Sequence, residues 1–441
     1  MTSEPDHPVR GEAAAAPGRR SFLRGMAGGV AGGVVAGGVV AGGVAGGFAG
    51  YAYRGTPADP AAAANAAAVQ GRLPAVPFHG KYQAGILPAS QRATAVVSFT
   101  ATASSRAELA DLFHTVTDRA RFLTAGGTPP PVGIDGPPSD SGVLGPTVVP
   151  DGLTVTFGVG STLFDSRYGL AASRPLHLTP MKSFPNDDLD PAQCGGDIVL
   201  QLSAGNTDTV LHALRDIAKN TRGGMQANWR IDGFSSPARP AGTVPRNLLG
   251  FMDGIANPAV TSAAQMDSLV WVNPSASGEP AWAAGGTYFV VRLIRMFVEF
   301  WDRVDIEEQE TMIGRRRGTG FPLDGTSVHS TPDYPADPTG DVIPLTAHMR
   351  LANPRTPETA SSVILRRAYN YNRGLDAVGD LDMGLVFTCF QQDIKRQFET
   401  VQTRLIGEPL VDYISPFGGG YFLALPGVTG SSDFYGRSLL A

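Results

Sequence analysis

The chain has 441 residues, of which 42% are hydrophobic, and this composition predicts a globular protein with a buried core rather than a disordered one. The formal net charge is -5 at pH 7 and no sustained run of Lys and Arg occurs, which argues against a nucleic-acid-binding surface. Cys194 and Cys389 are the only cysteines, so a disulfide scaffold and a cysteine zinc site are excluded. One disulfide or two core thiols remain as alternatives.

Residues 1–53 have the features of a bacterial twin-arginine export signal. Arg19 and Arg20 precede Ser-Phe-Leu, and residues 25–53 carry no charge. Twelve of residues 25–50 are glycine, and this weak hydrophobicity favours a signal over a retained membrane anchor, which is the alternative. We therefore expect an exported protein, extracellular, in the cell envelope or periplasmic, that contacts the membrane only through its signal. Residues 54–77 are predicted to be an Ala/Pro-rich linker.

The first half of the folded region, residues 78–240, has the predicted element order β-α-β-β-α-β. Alternating apolar residues predict its strands, and amphipathic spacing predicts its helices. The predicted strands are ATAVVSFTATA, GLTVTFGVG, GGDIVLQLSA and MQANWRIDGF, and the predicted helices are SSRAELADLFHTVTDRARFL, with a serine cap, and NTDTVLHALRDIAKNT.

The second half, residues 286–441, repeats this order. Its predicted strands are GTYFVVRLIRMFVEFW, SSVILRRAYNY, MGLVFTCFQQ and GGYFLALPG, and its predicted helices are DIEEQETMIGR and DIKRQFETVQTRL. We therefore predict an α+β protein with two tandem ferredoxin-like units that pack together as in a dimeric α/β barrel. Residues 241–285 are predicted to connect the units.

Three features of the second half and the connecting segment indicate candidate functional residues. His348 lies in TAHMRLAN, a short helical segment that must stop near Asn353 because Pro354 follows. Strand alternation places Arg366 and Arg367 on opposite faces, and a cation that faces a core requires an anion or a polar ligand. Asp253 lies between glycines in a predicted tight loop.

The chain resembles the dye-decolourising peroxidases, in the branch that includes the exported deferrochelatase/peroxidase of bacterial iron uptake. The residues that carry this resemblance are GFMDGIANP, which fits the family's G-x-x-D-G pattern, together with AHMRLANPR and ILRRAYNY. Further similar stretches extend from about Phe78 to Leu425, so that only the export region lies outside the resemblance.

The resemblance implies one haem b per chain, held between the loop of Asp253 and the second unit. His348 matches the family's proximal iron ligand, and Asp253 and Arg366 match its distal catalytic pair. An iron-bound histidine usually donates its other N–H to a carboxylate, and we expect Asp393 to be that carboxylate, although a helix N-cap is its alternative role.

Other residues are assigned to the haem pocket by the same resemblance. Leu385 and Phe387 match apolar residues that cover the distal haem face. Arg350 is predicted to bind a haem propionate, with an ordinary ion pair as the alternative, and Asn257 is assigned to the cofactor-binding residues. The insertions at residues 126–151 and 318–346 are predicted to restrict the haem channel to small reductants.

The predicted function is reduction of hydrogen peroxide through a ferryl intermediate, with oxidation of organic donors such as dyes or phenols. Two alternatives are removal of iron from intact haem, and delivery of haem or redox equivalents to another exported protein. An iron-uptake protein or a copper oxidase would be the partner in the last case. A pure carrier would not require the Asp253 and Arg366 pair.

Overall fold

A closed antiparallel β-sheet forms the centre of the protein. The computed structural model describes residues 72–441, so the predicted signal and the linker up to residue 71 lie outside the described residues. The strands are β1 (Ala93–Ala101), β2 (Thr154–Gly160), β3 (Ile198–Ala204), β4 (Met225–Phe234), β5 (Thr287–Met296), β6 (Leu365–Arg366), β7 (Tyr369–Leu375), β8 (Leu381–Gln391) and β9 (Ile414–Ala424). Their order is β5-β9-β2-β3-β1-β4-β7-β8-β6, and β5 also pairs with β8, which closes the sheet into a barrel.

Helices cover the outside of this barrel. They are α1 (Arg106–Ala125), α2 (Thr207–Asn220), α3 (Ala263–Leu269), α4 (Pro274–Ser277), α5 (Val298–Trp301), α6 (Ile306–Ile313), α7 (His348–Ala352), α8 (Thr400–Arg404) and α9 (Arg437–Leu440). The side chain of Ser105 accepts a bond from the Glu108 N–H at the start of α1, which confirms the predicted serine cap. In the described part of the chain, none of these helices has the length and apolarity needed to span a bilayer.

The barrel interior is filled by apolar side chains from both halves of the chain. Because side chains alternate along a strand, every second residue of each strand faces inward. The interior cluster includes Val96, Trp229, Phe289, Tyr369 and Phe422, all at most 3% exposed. The residues between them face outward, where α1 and α2 cover the first half.

The two predicted ferredoxin-like units are confirmed, and their sheets join edge to edge. Strands β1 to β4 belong to the first unit and β5 to β9 to the second. The joints are short, since β2 meets β9 through three residue pairs and β4 meets β7 through one. Joining the sheets in this way removes the open edges that two separate sheets would leave.

Several elements of the second unit differ from the sequence prediction. The strand predicted from SSVILRRAYNY divides into β6 and β7, which are separated by Arg367 and Ala368. The strand expected to continue to Trp301 ends at Met296, and the chain then forms α5. The helix expected from Asp393 begins with a π-helical turn, Lys395–Glu399, before α8. Within this turn the buried amide of Gln397 donates to the carbonyls of Val363 and Leu269.

Candidate functional site

A cavity of about 240 Å³ lies on the outer face of the second unit, and its walls are mostly apolar. One wall comes from the loop of Asp253, another from the outward-facing residues of β5 and β8, and a third from α7 and the π-helical turn. The apolar lining residues include Phe251, Ile294, Leu385, Phe387 and Phe398. Leu385 and Phe387 therefore lie where the sequence predicts them, at the cavity.

His348 begins α7, which ends at Ala352 with Asn353 as its C-cap, close to the predicted stop. Its side chain is 31% exposed and lines the cavity. The Nδ1 atom lies 2.6 Å from Oε2 of Glu408, so it is the donor to this buried carboxylate. Since no bond to Nε2 is found among the described residues, this nitrogen is left to coordinate a ligand in the cavity.

The carboxylate of Glu408 determines the electronic state of His348. Burial lowers the pKa of the imidazole, but the charge and the hydrogen bond of Glu408 raise it, and the net pKa lies above its usual value. The same hydrogen bond fixes the ring tautomer and makes the free nitrogen more electron-rich. This is the arrangement of a histidine that ligates haem iron.

Asp393 does not provide this carboxylate, which corrects the sequence prediction. Its Oδ1 accepts the N–H groups of Lys395 and Arg396, and its Oδ2 lies 3.4 Å from Nε2 of His177. It therefore caps the π-helical turn, which was the alternative role. Glu408 was not predicted from the sequence, where the available signal was a single acid within the apolar segment LIGEPLV.

Asp253 and Arg366 meet at the cavity. Nη1 of Arg366 lies 3.1 Å from Oδ1 of Asp253, and about a quarter of each side chain is exposed. The loop of Asp253 is fixed by a bond from its N–H to the Pro245 carbonyl, and its sharp turns place Gly250 and Gly254 at φ values of +89° and +88°. The structure thus joins the two residues that the sequence places on separate elements.

Arg366 and Arg367 point to opposite faces of the sheet, as predicted. Arg366 faces the cavity, whereas Arg367 is buried and donates to the carbonyls of Gly85 and Ile86. The charge of Arg367 is therefore satisfied by main-chain oxygens. Of these two arginines, Arg366 is the one whose guanidinium can contact a molecule in the cavity.

Two further assignments change. Arg350 donates to Asp337 and to the Ile343 carbonyl, stacks on Tyr334, and does not line the cavity. It is therefore a structural residue rather than a propionate partner. Asn257 does not line the apolar cavity either; it lines an adjoining polar cavity, and its amide binds the main chain of Arg366.

The cationic edge of the cavity is formed by Arg315 and Arg355. Within residues 72–441 neither side chain forms an ion pair. Burial and the nearby charges of Arg355 and Arg366 lower the pKa of Arg315 to about 10. Both arginines also line an adjoining polar cavity of about 210 Å³, together with His329, Ser330 and Thr331. Residues of the insertion at 318–346 therefore line this polar cavity, whereas residues 126–151 line neither of the two cavities.

The described residues fit a haem group. The cavity has an imidazole nitrogen without a hydrogen bond on one side, apolar walls, and, at its edge, two guanidinium groups that have no carboxylate partner among the described residues. Haem has a central iron, an apolar ring system and two carboxylates, so each part meets matching chemistry. Arg315 and Arg355, rather than Arg350, are the groups that would neutralise the propionates.

We expect Glu408→Gln to retain haem but to shift its reduction potential to a more positive value. A neutral amide makes the His348 ring a weaker donor to iron, and changes of this kind typically alter metal affinity or activity by about 10- to 100-fold. Spectroelectrochemical titration measures the potential. Asp393→Asn is the matched control, and an equal shift in both variants would contradict the role of Glu408.

Comparisons with known proteins identify the family of the chain. The description "Dyp-type peroxidase, N-terminal" matches residues 83–235, and "Dyp-type peroxidase, C-terminal" matches residues 244–429. The chain is 50% identical over 368 residues to a deferrochelatase of Escherichia coli (strain K12), covering 82% of this chain and 87% of the relative.

Solved structures show the same similarity. A DyP-type peroxidase from Cellulomonas bogoriensis is 35% identical, with a TM-score of 0.74, and the match covers 83% of this chain and 98% of that chain. Ferric DtpA from Streptomyces lividans is 34% identical, with the same TM-score, over 83% of this chain and 97% of that one. The chain therefore belongs to the Dyp-type peroxidase family, and the protein is an oxidoreductase.

Proposed function

We propose that the protein is an exported haem b peroxidase that reduces hydrogen peroxide and oxidises small organic donors such as dyes or phenols. Its cofactor is haem b, one per chain. Haem, when bound, supplies the iron that receives peroxide oxygen and the two electrons that the donors later replace. His348 would hold this iron through Nε2, and Arg315 and Arg355 would bind the propionates.

The pair of Asp253 and Arg366 carries the proposal. Both residues line the cavity with His348, and the charge of each shifts the pKa of that histidine, downward for Arg366 and upward for Asp253. The two charged groups are thus close to the ring that would hold the iron. A protein that only stored haem would gain nothing from an ion pair at this place.

The two side chains have different tasks in peroxide reduction. Asp253 accepts a proton from one peroxide oxygen and donates it to the other, which leaves as water. Arg366 stays protonated and stabilises the negative charge that develops on the departing oxygen. One hydrogen peroxide, two electrons and two protons then give two waters, and two donor molecules each lose one electron.

Release of iron from haem is the second candidate function, because relatives about 50% identical to this chain are named deferrochelatase. The two activities give different products. A peroxidase consumes peroxide and donor in fixed proportion and keeps its haem, whereas a deferrochelatase produces iron-free porphyrin.

The test is incubation of the haem-loaded protein with hydrogen peroxide and a phenol, with donor oxidation followed by absorbance and porphyrin followed by fluorescence. We expect two phenols to be oxidised per peroxide, without porphyrin fluorescence. Porphyrin formation without peroxide-dependent oxidation would reject the peroxidase proposal and favour iron release.

We also propose export by the twin-arginine route, supported by Arg19 and Arg20 in the sequence. An exported peroxidase in an iron-uptake or copper-oxidase system would meet its partner outside the cytoplasm. Because this route carries folded proteins, replacement of both arginines by lysine is expected to leave haem-loaded protein inside the cell. Fractionation and immunoblotting measure the distribution, and undiminished secretion of the double variant would contradict the proposal.

A further inference from the structure

The main chain of Arg366 is held by the side chain of Asn257. The Arg366 N–H donates to Oδ1 of Asn257 at 3.1 Å, and Nδ2 of Asn257 donates to the Arg366 carbonyl at 2.8 Å. One side-chain amide thus satisfies both polar groups of the residue that carries the distal guanidinium. This two-point contact reproduces the hydrogen bonding that a neighbouring strand would provide.

The local strand geometry explains why Arg366 needs this partner. Strand β6 contains only two residues, and it is separated from β7 by Arg367 and Ala368. Arg367 donates its N–H to the Thr388 carbonyl on β8, so alternation of the antiparallel ladder directs the polar groups of Arg366 away from β8. Without Asn257, the N–H and the carbonyl of Arg366 would have no hydrogen-bond partner among the described residues.

Asn257 belongs to the loop that carries Asp253, four positions earlier. Its N–H donates to the Gly254 carbonyl at 3.2 Å, and the following residue, Pro258, is buried. The short turn between Asp253 and Asn257 is therefore fixed at both ends. As a result, the amide of Asn257 connects the backbone of Arg366 to the backbone that supports Asp253.

We propose that Asn257 is a positioning residue that sets the separation between Arg366 and Asp253 and thereby the rate of peroxide reduction. It acts through Arg366, whose main chain it holds, and it also lines the adjoining polar cavity beside Arg315 and Arg355. The inference rests on the proposed function, since it concerns the same distal pair. It assigns Asn257 a role in geometry instead of the cofactor binding predicted from the sequence.

The test is a double-mutant cycle on the rate of the haem absorbance change after mixing with peroxide. Displacement of a reacting group by about 1 Å can cost on the order of a hundredfold in rate, and we expect Asn257→Ala to lose roughly tenfold to a hundredfold. In the Arg366→Leu background, Asn257→Ala is expected to cost little more, because the group that it positions is already absent. An equal loss in both backgrounds would overturn the proposal.

Hydrogen exchange gives a readout that does not depend on activity. The Arg366 amide should exchange faster in Asn257→Ala than in the wild type, since its acceptor is lost. Asn372→Ala is the matched control, because Asn372 is exposed and, in the described part of the chain, its side chain accepts only the Gly374 N–H. We expect this control to keep the wild-type rate and the wild-type exchange at Arg366.

If the alanine variant is too unstable to measure, Asn257→Asp is the second variant for the same rate measurement. It keeps the acceptor for the Arg366 N–H, but its second oxygen replaces the donor and repels the Arg366 carbonyl, so we expect a rate below the wild-type value. Wild-type rates in both variants would overturn the positioning role while leaving the peroxidase proposal intact. A wild-type protein that does not react with peroxide would reject the proposed function itself.

Discussion

We expect the His348→Ala variant to fold and to retain haem much more weakly than the wild type. The iron loses its protein ligand, while the barrel interior and the helices over the first unit do not involve this side chain. The haem content per chain after gel filtration measures the effect, and the thermal unfolding temperature serves as the control for folding. The remaining haem should show a changed visible spectrum because its axial ligand is gone.

His329→Ala is the matched control for this variant. His329 also lies close to the site, but it is exposed and lines the adjoining polar cavity rather than the apolar cavity. It should keep its haem and its spectrum. Full haem occupancy with an unchanged spectrum in His348→Ala would contradict the assignment of the proximal ligand.

Substitutions at Asp253 and Arg366 should both slow the reaction with peroxide, but with different pH profiles. Arg366→Leu removes the cation that stabilises developing charge, and such a loss typically costs on the order of a hundredfold or more. Because the guanidinium stays protonated, the loss should be similar at every pH. Asp253→Asn removes the proton acceptor, so the pH dependence of the rate should change as well.

Stopped-flow mixing with peroxide from acid to neutral pH distinguishes the two roles. The ion pair at 3.1 Å also predicts coupling between them, so that the double variant should lose less than the product of the two single losses. Wild-type rates in Asp253→Asn at every pH would remove the aspartate from the mechanism. Arg366 would then act with water alone.

The element order could be predicted from the sequence because each strand and helix has its own local pattern. Strand β8 alternates and α6 begins with Asp305 as a cap, so these elements follow from neighbouring residues. The edge-to-edge joints of the barrel depend on contacts between residues far apart in the chain. The spacing of Val298 and Trp301 fits a helical turn, but the preceding alternation made it indistinguishable from a longer strand.

The site was predictable only in part. His348, Asp253 and Arg366 are found at one cavity, whereas their supporting residues differ from those expected. Glu408 reaches His348 because the segment after α8 returns to α7, and this path leaves no periodic signal in the sequence. Arg315 and Arg355 replace Arg350 at the cavity edge because α7 turns Arg350 toward Asp337.

The most direct test of the account is the visible spectrum of the purified protein before and after one equivalent of hydrogen peroxide. We predict a haem Soret band that changes at once and returns to its starting form after two equivalents of a one-electron phenolic donor. This result requires bound haem, peroxide reduction and donor oxidation in one protein. A protein without haem, or a Soret band that peroxide leaves unchanged, would contradict the assignment of the cavity as a peroxidase site.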